Sequence, residues 1–422
     1  MRRLRRRPKP QHAATPGRHR PRQPRPSLNF CREAPNPSTA KSRLSGAGRL
    51  QNVFASGARL RAPWSTASMR GGGQPLLVLL LSALLWSCLA SSPLLSTSCC
   101  SIQGRRSHME DEVFISRNGD FAAVFDGHGG SKVSSYLRST LYSKVLQSLP
   151  EGDGSWSTEL IKNAIRTAVK KCDDDVGQLS QWNHQGSTAS VVFISNADGN
   201  DDSHDEEDGR EASVVCMNVG DSRAVLARGS GEVLELSEDH KPDRADERRR
   251  IEKLGGSVKW HGLFHNRKPI AGTGCYRING NLALSRAVGD YSERPFVSAT
   301  PDITVTTVRK GDEFICTASD GLWDVFDSQE LVSFVLGCKQ AILLTGGATA
   351  AAAAAAERDA VVDRREVQHA LSSFHKRATS LRATSLASRL ELFRGCVANL
   401  VVDAAFRRGS TDNISCAIVW LK

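Results

Sequence analysis

From residue 101 onward the chain alternates between short apolar runs and amphipathic stretches. Residues 121–125 (FAAVF) are continuously apolar and stop at Asp126-Gly127, which predicts a buried strand closed by a turn. Over 133–149, Val133, Tyr136, Leu137, Leu141, Val145 and Leu149 recur at helical spacing, and 160–179 repeats the pattern. Residues 187–195, 212–219 and 224–228 read as strands. Asp243 is placed to cap a helix through Leu254, which Gly255-Gly256 ends. Strands are expected at 303–308 and 313–318, helices at 328–336 and 392–406, and a final strand at 414–421. The strands follow one another closely, without strict helix alternation. That spacing predicts an α+β domain over 101–422, with mostly antiparallel sheets covered by helices.

Three segments break this texture. Residues 1–70 are rich in Arg, Pro and Ser and cannot bury a core, so a disordered basic leader is expected. Residues 196–209 (NADGNDDSHDEEDG) form an acidic loop. Residues 339–390 look like a low-complexity insert, with seven alanines at 350–356 and a tandem RATSL repeat at 377–386. Polyalanine favours helix but offers no apolar stripe, so a surface helix or disorder is expected there. Between Arg70 and Arg105 there is no charge at all. The apolar run at 76–90 falls short of the roughly 20 residues of a spanning helix. Read from Met69, it has the layout of a signal-peptide core with small residues at Cys88-Leu89-Ala90. Residues 71–98 are therefore expected to be signal- or anchor-like, with membrane contact through 76–95.

Charge divides the chain in two. Residues 1–100 hold 17 lysines and arginines against one acid, Glu33, a charge of +16; the remaining 322 hold 39 basic and 44 acidic residues, −5. The high isoelectric point belongs to the leader, which makes nucleic-acid binding by the folded part unlike the basic faces such binders need. The leader itself admits a nuclear or transit signal in RRLRRRPKP. Eleven cysteines lack CxxC spacing, and Cys216, Cys316 and Cys416 sit inside apolar runs. They read as small core residues of a reducing compartment, cytosol or nucleus, whereas the leader favours export or anchoring. Both locations stay open.

Chemistry is signalled by where the acids fall. Glu110-Asp111 precede a strand; Asp126, Asp221, Asp320 and Asp324 follow strands; Asp290 lies in RAVGD; Asp412-Asn413 stand just before the last strand. A single Asp-Gly is an ordinary turn. Six or seven acids at strand ends, several beside glycines that admit close backbone approach, instead suit hard divalent cations. No Cys or His spacing suits zinc, so Mg²⁺ or Mn²⁺ is indicated.

Eight stretches in order carry a resemblance: SIQGRRSHMEDE, FAAVFDGHGG, GSTAS, NVGDSRAVL, EDHKP, RINGNLALSRAVGD, ICTASDGLWDV and RRGSTDNIS. Together they resemble the metal-dependent Ser/Thr protein phosphatases of type 2C, the PPM family, over 101–422 apart from the acidic loop and the insert. The resemblance implies a four-layer α-β-β-α sandwich, two antiparallel sheets with helices packed outside. It implies that Asp126 bridges two metals, with Glu110 and the Gly127 carbonyl at one and Asp320 and Asp412 at the other. Asp221 with Asp324 matches a weaker third-metal site. Arg106 matches the arginine that grips the substrate phosphate, and His128 the general acid. Asp111 and Asn413 match positions that orient ligands and waters.

What the resemblance implies is hydrolysis of phosphoserine and phosphothreonine in proteins, by a water between two cations attacking phosphorus in line, without a covalent phosphoenzyme. Arg106 suits that task because a planar guanidinium engages two phosphoryl oxygens at once. The implied partners are phosphorylated proteins, and a monomer is expected. Two alternatives come from other classes. One is a catalytically weak or dead regulatory module, against which stands the complete set of acids. The other is a thiol phosphatase at Cys99–Arg105, which spells C-x5-R but misplaces the glycine. A long segment at 258–279 carries His261, His265, Arg267 and Lys268 and reads as a solvated basic loop or a substrate-docking flap.

Overall fold

The computed structural model describes residues 95–151, 156–195, 212–270, 272–344 and 364–421. The leader up to residue 94, the acidic loop at 196–209 and the alanines at 350–356 lie outside them. Two five-stranded antiparallel sheets form the centre. In spatial order the first holds β1 (Thr97–Ile102), β17 (Ile414–Trp420), β16 (Asp312–Ala318), β8 (Arg223–Arg228) and β9 (Val233–Glu235). The second holds β15 (Asp302–Thr307), β7 (Ser213–Val219), β6 (Ala189–Ser195), β3 (Phe121–Phe125) and β2 (Glu112–Ile115). Helices α1 (Lys132–Ser148) and α2 (Thr158–Gly177) cover the second sheet. The first is covered by α5 (Ser328–Leu344), α6 (Arg364–Ser380), α7 (Leu386–Arg394) and α8 (Val397–Arg408). This is the four-layer α-β-β-α sandwich that the sequence resemblance implies.

Strand alternation builds its three apolar layers. Val192 and Ile194 of β6 meet Ile315 and Val419 between the sheets, while Val191 and Phe193 face α1 and α2. Every residue of β3 and β6 is buried, so β3 reads as an unbroken apolar run and β6 as one from Val191 to Ile194 between two serines, as strands covered on both faces should. Smaller pieces complete the fold: the three-stranded set β14 (Val288–Gly289), β5 (Gly186–Ser187) and β4 (Gly127–His128), and two hairpins. The hairpins join β10 (Val258–His261) to β13 (Cys275–Ile278) and β11 (Phe264–His265) to β12 (Lys268–Pro269).

The structure departs from the expectations in five places. Strand β1 starts at Thr97 and pairs with β17 through six residues, and Leu95 packs against the inter-sheet core. The folded domain thus takes in residues 95–98, the end of the stretch read as anchor-like. Asp243 is exposed and does not cap helix α3 (Ala245–Lys253); Arg244 stands at the N-cap without a capping bond, and Asp246 and Glu247 in the first turn meet the helix dipole. The helix from Ser328 continues to Leu344, and the one expected at 392–406 is two, broken at Gly395-Cys396. The insert is not all unpacked. Helix α6 buries Ala370, Phe374 and Ala378, four residues apart on one face, and Phe374 meets Phe393 edge-on at 6.1 Å. Finally, Cys99 and Cys100 lie in a strand, β1. Cys99 is disulfide-bonded, and burial pushes the Cys100 thiol up to about 12. Neither supplies a thiolate nucleophile.

Candidate active site

Sheet register delivers the acids to one end of the sandwich. Ala318, at the end of β16, lies opposite Arg223 of β8 and Cys416 of β17, so Asp320, Asp221 and Asp412 emerge together. In the other sheet Phe125 is opposite Glu112, and Ala189 is opposite Val219. Glu110, Asp111 and Asp126 therefore leave their strands at the same end. Asp324 closes the single-turn helix α4 (Asp320–Trp323) next door.

These carboxylates crowd one another. Burial first, then the charges of Asp111, Asp320, Asp221 and Asp412, push the Asp126 carboxyl well above its ordinary range. Asp320 is raised by burial and by Asp221, Asp324 and Asp412, with Lys241 opposing. Asp111 is raised to about 6 by burial, against hydrogen bonds from Ser319 and Ser415. Asp324 is raised by burial and neighbouring acids, again with Lys241 opposing. Clustered buried acids of this kind lack positive charge, and their oxygen-only donor set suits a hard divalent cation. Among the described residues no three acid, His or Cys side chains close into a ready ligand cage. Two side-chain cations lean on the cluster: the Arg106 guanidinium on Asp412, and Lys241 Nζ at 2.5 Å from Asp221 Oδ2.

Local geometry fixes the remaining groups. A side chain at Gly127 would meet the Glu110 carbonyl oxygen at 2.4 Å, so glycine lets the two strand ends close. His128 Nε2 donates to Asp290 Oδ2 at 2.6 Å. Burial pulls the His128 pKa down, but the Asp290 bond and charge more than offset it, so the imidazole is held above its usual value. Gly186 makes room for this pair: a Cβ there would lie 2.3 Å from Asp290 Oδ2 and 2.5 Å from His128 Nε2. Buried Asn413 ties three segments together. Its Oδ1 accepts from the Glu110 N–H at 2.8 Å, and its Nδ2 donates to the carbonyls of Gln103 and His108 at 2.8 and 2.9 Å. Ser319 Oγ donates to Asp111 Oδ2 at 2.8 Å. Asp111 and Asn413 thus hold neighbouring acids and backbone in place.

Asp126, Asp221, Asp320, Asp324 and Asp412 lie within reach of one another's charges here, whereas His261, His265 and Lys268 lie on the hairpins at 258–278. Two others were missed. Asp290 stood out as an acid without a task, and Lys241 lay inside a motif without drawing notice. Asp290 adopts a left-handed backbone, φ 50°, which follows the glycine of RAVGD. That turn chemistry was the available signal.

Comparison with known proteins decides the family. A family model described as Protein phosphatase 2C matches residues 95–366. The chain belongs to the protein phosphatase 2C family. It is similar to the rice "Probable protein phosphatase 2C 8", 31% identical over 362 residues covering 76% of this chain and 73% of that one. It is also similar to the Arabidopsis thaliana "Probable protein phosphatase 2C 11", 37% identical over 243 residues covering 56% of each. Among solved structures, a Caenorhabditis elegans sex determining protein aligns with TM-score 0.53 at 23% identity, covering 82% of this chain and 71% of that one. A phosphatase from Toxoplasma gondii aligns with TM-score 0.51 at 23% identity, covering 77% and 92%; these two likenesses bear on the fold alone. Protein phosphatase 2C enzymes are metal-dependent Ser/Thr protein phosphatases that act on phosphorylated proteins. The sandwich is shared.

Proposed function

We propose that this chain hydrolyses phosphoserine and phosphothreonine in proteins at the sheet end holding Asp126, using two Mg²⁺ or Mn²⁺ ions and accepting a third. Glu110, Asp126, the Gly127 carbonyl, Asp320 and Asp412 would hold the two ions, and Asp221 with Asp324 the third. When bound, such ions neutralise the phosphoryl charge and acidify a water for in-line attack. The observation that carries this reading is geometric: sheet register brings Asp126, Asp221, Asp320, Asp324 and Asp412 to one end of the sandwich, where, among the described residues, only Arg106 and Lys241 pair with them.

The chain's own groups do the rest. Arg106, exposed at the rim, offers a planar fork to two phosphoryl oxygens. His128 donates through Nε2 to Asp290, which leaves Nδ1 to carry the proton for the departing serine or threonine oxygen. Asp290 orients the ring and favours its protonated form. No cysteine takes part.

Location is a separate proposal. Among the described residues no helix is long and apolar enough to cross a membrane. The uncharged run at 76–90 supports export or anchoring, and the seven free cysteines between 172 and 416 support a reducing compartment. Expression from Met1 and from Met69 with a C-terminal tag, followed by protease protection and N-terminal sequencing, separates them. The activity itself is tested by phosphothreonine-peptide hydrolysis with Mn²⁺, with and without excess chelator. Turnover is expected only with free metal; full turnover in chelator would overturn the reading.

A further inference from the structure

Lys241 sits among acids with no apolar reason to be there. It follows His240, a fully buried histidine whose backbone N–H donates to the Gly220 carbonyl at 2.9 Å. The His240 ring accepts from the Gly220 N–H through Nδ1 at 3.1 Å and donates through Nε2 to Asp302 Oδ2 at 3.0 Å. Two of these bonds pin the 239–241 turn against Gly220, and the third ties the same ring to Asp302. Lys241 is left facing Asp221, and its Nζ closes to 2.5 Å from Oδ2. Asp239, the other acid of the turn, is already engaged by Arg223, at 2.9 Å from each of two guanidinium nitrogens. So the ammonium serves the acid cluster and not its own turn. Its charge is felt by Asp320 and by Asp324 as well as by Asp221.

We propose that Lys241 is a tethered counter-cation which holds the Asp221–Asp324 end of the cluster together without metal and, by sharing its acids, weakens a divalent ion's grip there. The proposal rests on the metal-dependent reading above. The physical basis is competition for the same oxygens. A dication at Asp221 must approach an oxygen that already faces an ammonium 2.5 Å away, and must do so against that positive charge. Asp221 and Lys241 are each part-shielded from water, so solvent screens the contest only partly: their side chains are 6% and 39% exposed. Arg106 does not stand in the same relation. Its side chain is 57% exposed and leans on Asp412, not on Asp221. Lys241 is thus the fixed member of the pair, and the acids beside it would form the weakest of the metal positions.

The test is Mn²⁺ titration of the full chain by calorimetry, run beside melting curves in chelator. Lys241→Met keeps the length of the side chain and removes its charge. It is expected to tighten the weakest-bound Mn²⁺ by at least about tenfold, while the melting temperature in chelator falls and its rise on adding Mn²⁺ grows. Lys241→Arg retains the charge and should reproduce the wild-type isotherm. Lys241→Gln, which keeps a polar head over Asp221, is titrated in parallel, so that misfolding of one variant leaves the comparison standing. Equal Mn²⁺ isotherms for wild type and the neutral variants, or weaker binding in the variants, would overturn the role given to Lys241. A wild-type chain that binds no Mn²⁺ would instead overturn the metal-dependent reading on which it rests.

Discussion

Two groups of acids in this molecule have opposite fates. At the sheet end, Asp126, Asp320 and Asp324 are pushed upward by burial and by the charges of neighbouring acids, Asp221 and Asp412 among them. Around helix α3, Glu247 is just as enclosed, at 1% exposure. Burial alone would raise it, yet Arg286 and Arg250 hold it down at about 2. Arg286 Nη2 lies 2.8 Å from one Glu247 oxygen and Arg250 Nη2 2.7 Å from the other. Asp302 is lowered in the same way, by His240 and Arg286. The residue types are alike; only the cations differ. In one region protein side chains complete the charge balance, and the result is a rivet between α3 and the segments at 285–302. In the other the balance is left short, and the shortfall marks the place for external cations.

The contrast predicts opposite responses to removing an acid. Asp126→Ala or Asp320→Ala should cut phosphopeptide turnover by ~10³-fold or more, because each removes a group asked to hold the ions. The same change should leave the melting temperature in chelator unchanged or raise it, since like charges no longer crowd. A large loss of metal-free stability would show that these acids were structural after all. His128→Ala comes next, with a loss of ~10²–10⁴-fold on a phosphothreonine peptide. On para-nitrophenyl phosphate the loss should be much smaller, because nitrophenolate leaves without a proton. Equal losses on both substrates would reduce His128 to a positioning role.

Much of this was legible in the chain, for physical reasons. Strands buried on both faces write themselves as apolar runs, so β3, β6 and β17 stood out, and acids at their ends could be grouped before any geometry was known. Pairing across distance was not legible. That Asp290 meets His128, 162 residues away, depends on the β4–β5–β14 pieces, each two residues long and too short to carry a pattern. Lys241 was hidden because a lysine in a polar turn looks like any solvated lysine. The buried face of helix α6 was missed because a low-complexity neighbour masked the Ala370–Phe374–Ala378 stripe.

The rivet is tested through stability. Glu247→Ala should leave Arg286 with Asp302 and Thr300 alone and Arg250 with the carbonyls of Ser285 and Phe296, and cost about 3 kcal/mol, measured by urea unfolding in chelator. The pH dependence has a definite sign. Glu247 titrates lower when folded, about 2 against an ordinary 4.5, so its contribution is present above about pH 4.5 and is lost as the pH falls toward 2. That contribution is about 3 kcal/mol. Glu247→Gln should remove this part of the acid limb and leave the neutral plateau lower. An acid limb identical in Glu247→Gln and wild type would mean that the arginines do not read this carboxylate.

The smallest effect expected is that of the leader, and it asks how local the charge argument is. Removing residues 1–94 deletes 17 basic side chains and one acid. If the acid cluster drew its compensation from distant positive charge, the deletion would tighten Mn²⁺ binding and raise the metal-free stability cost of crowding. Screening argues otherwise, because charges beyond about 8–10 Å are largely silent at physiological salt. The cations that do act on the cluster, Arg106 and Lys241, are in contact with it and remain in the shortened chain. The cut also spares Leu95, which packs against the inter-sheet core, and β1, which pairs with β17 beside Asp412. Phosphopeptide turnover and the Mn²⁺ isotherm of the shortened chain should therefore match the full chain within about twofold at 0.15 M salt. A cut five residues further on would enter β1 and is expected to lose stability instead. Should the shorter deletion alone shift metal affinity severalfold, the balance at the sheet end is set from afar, and the contrast with the Glu247 rivet is one of degree.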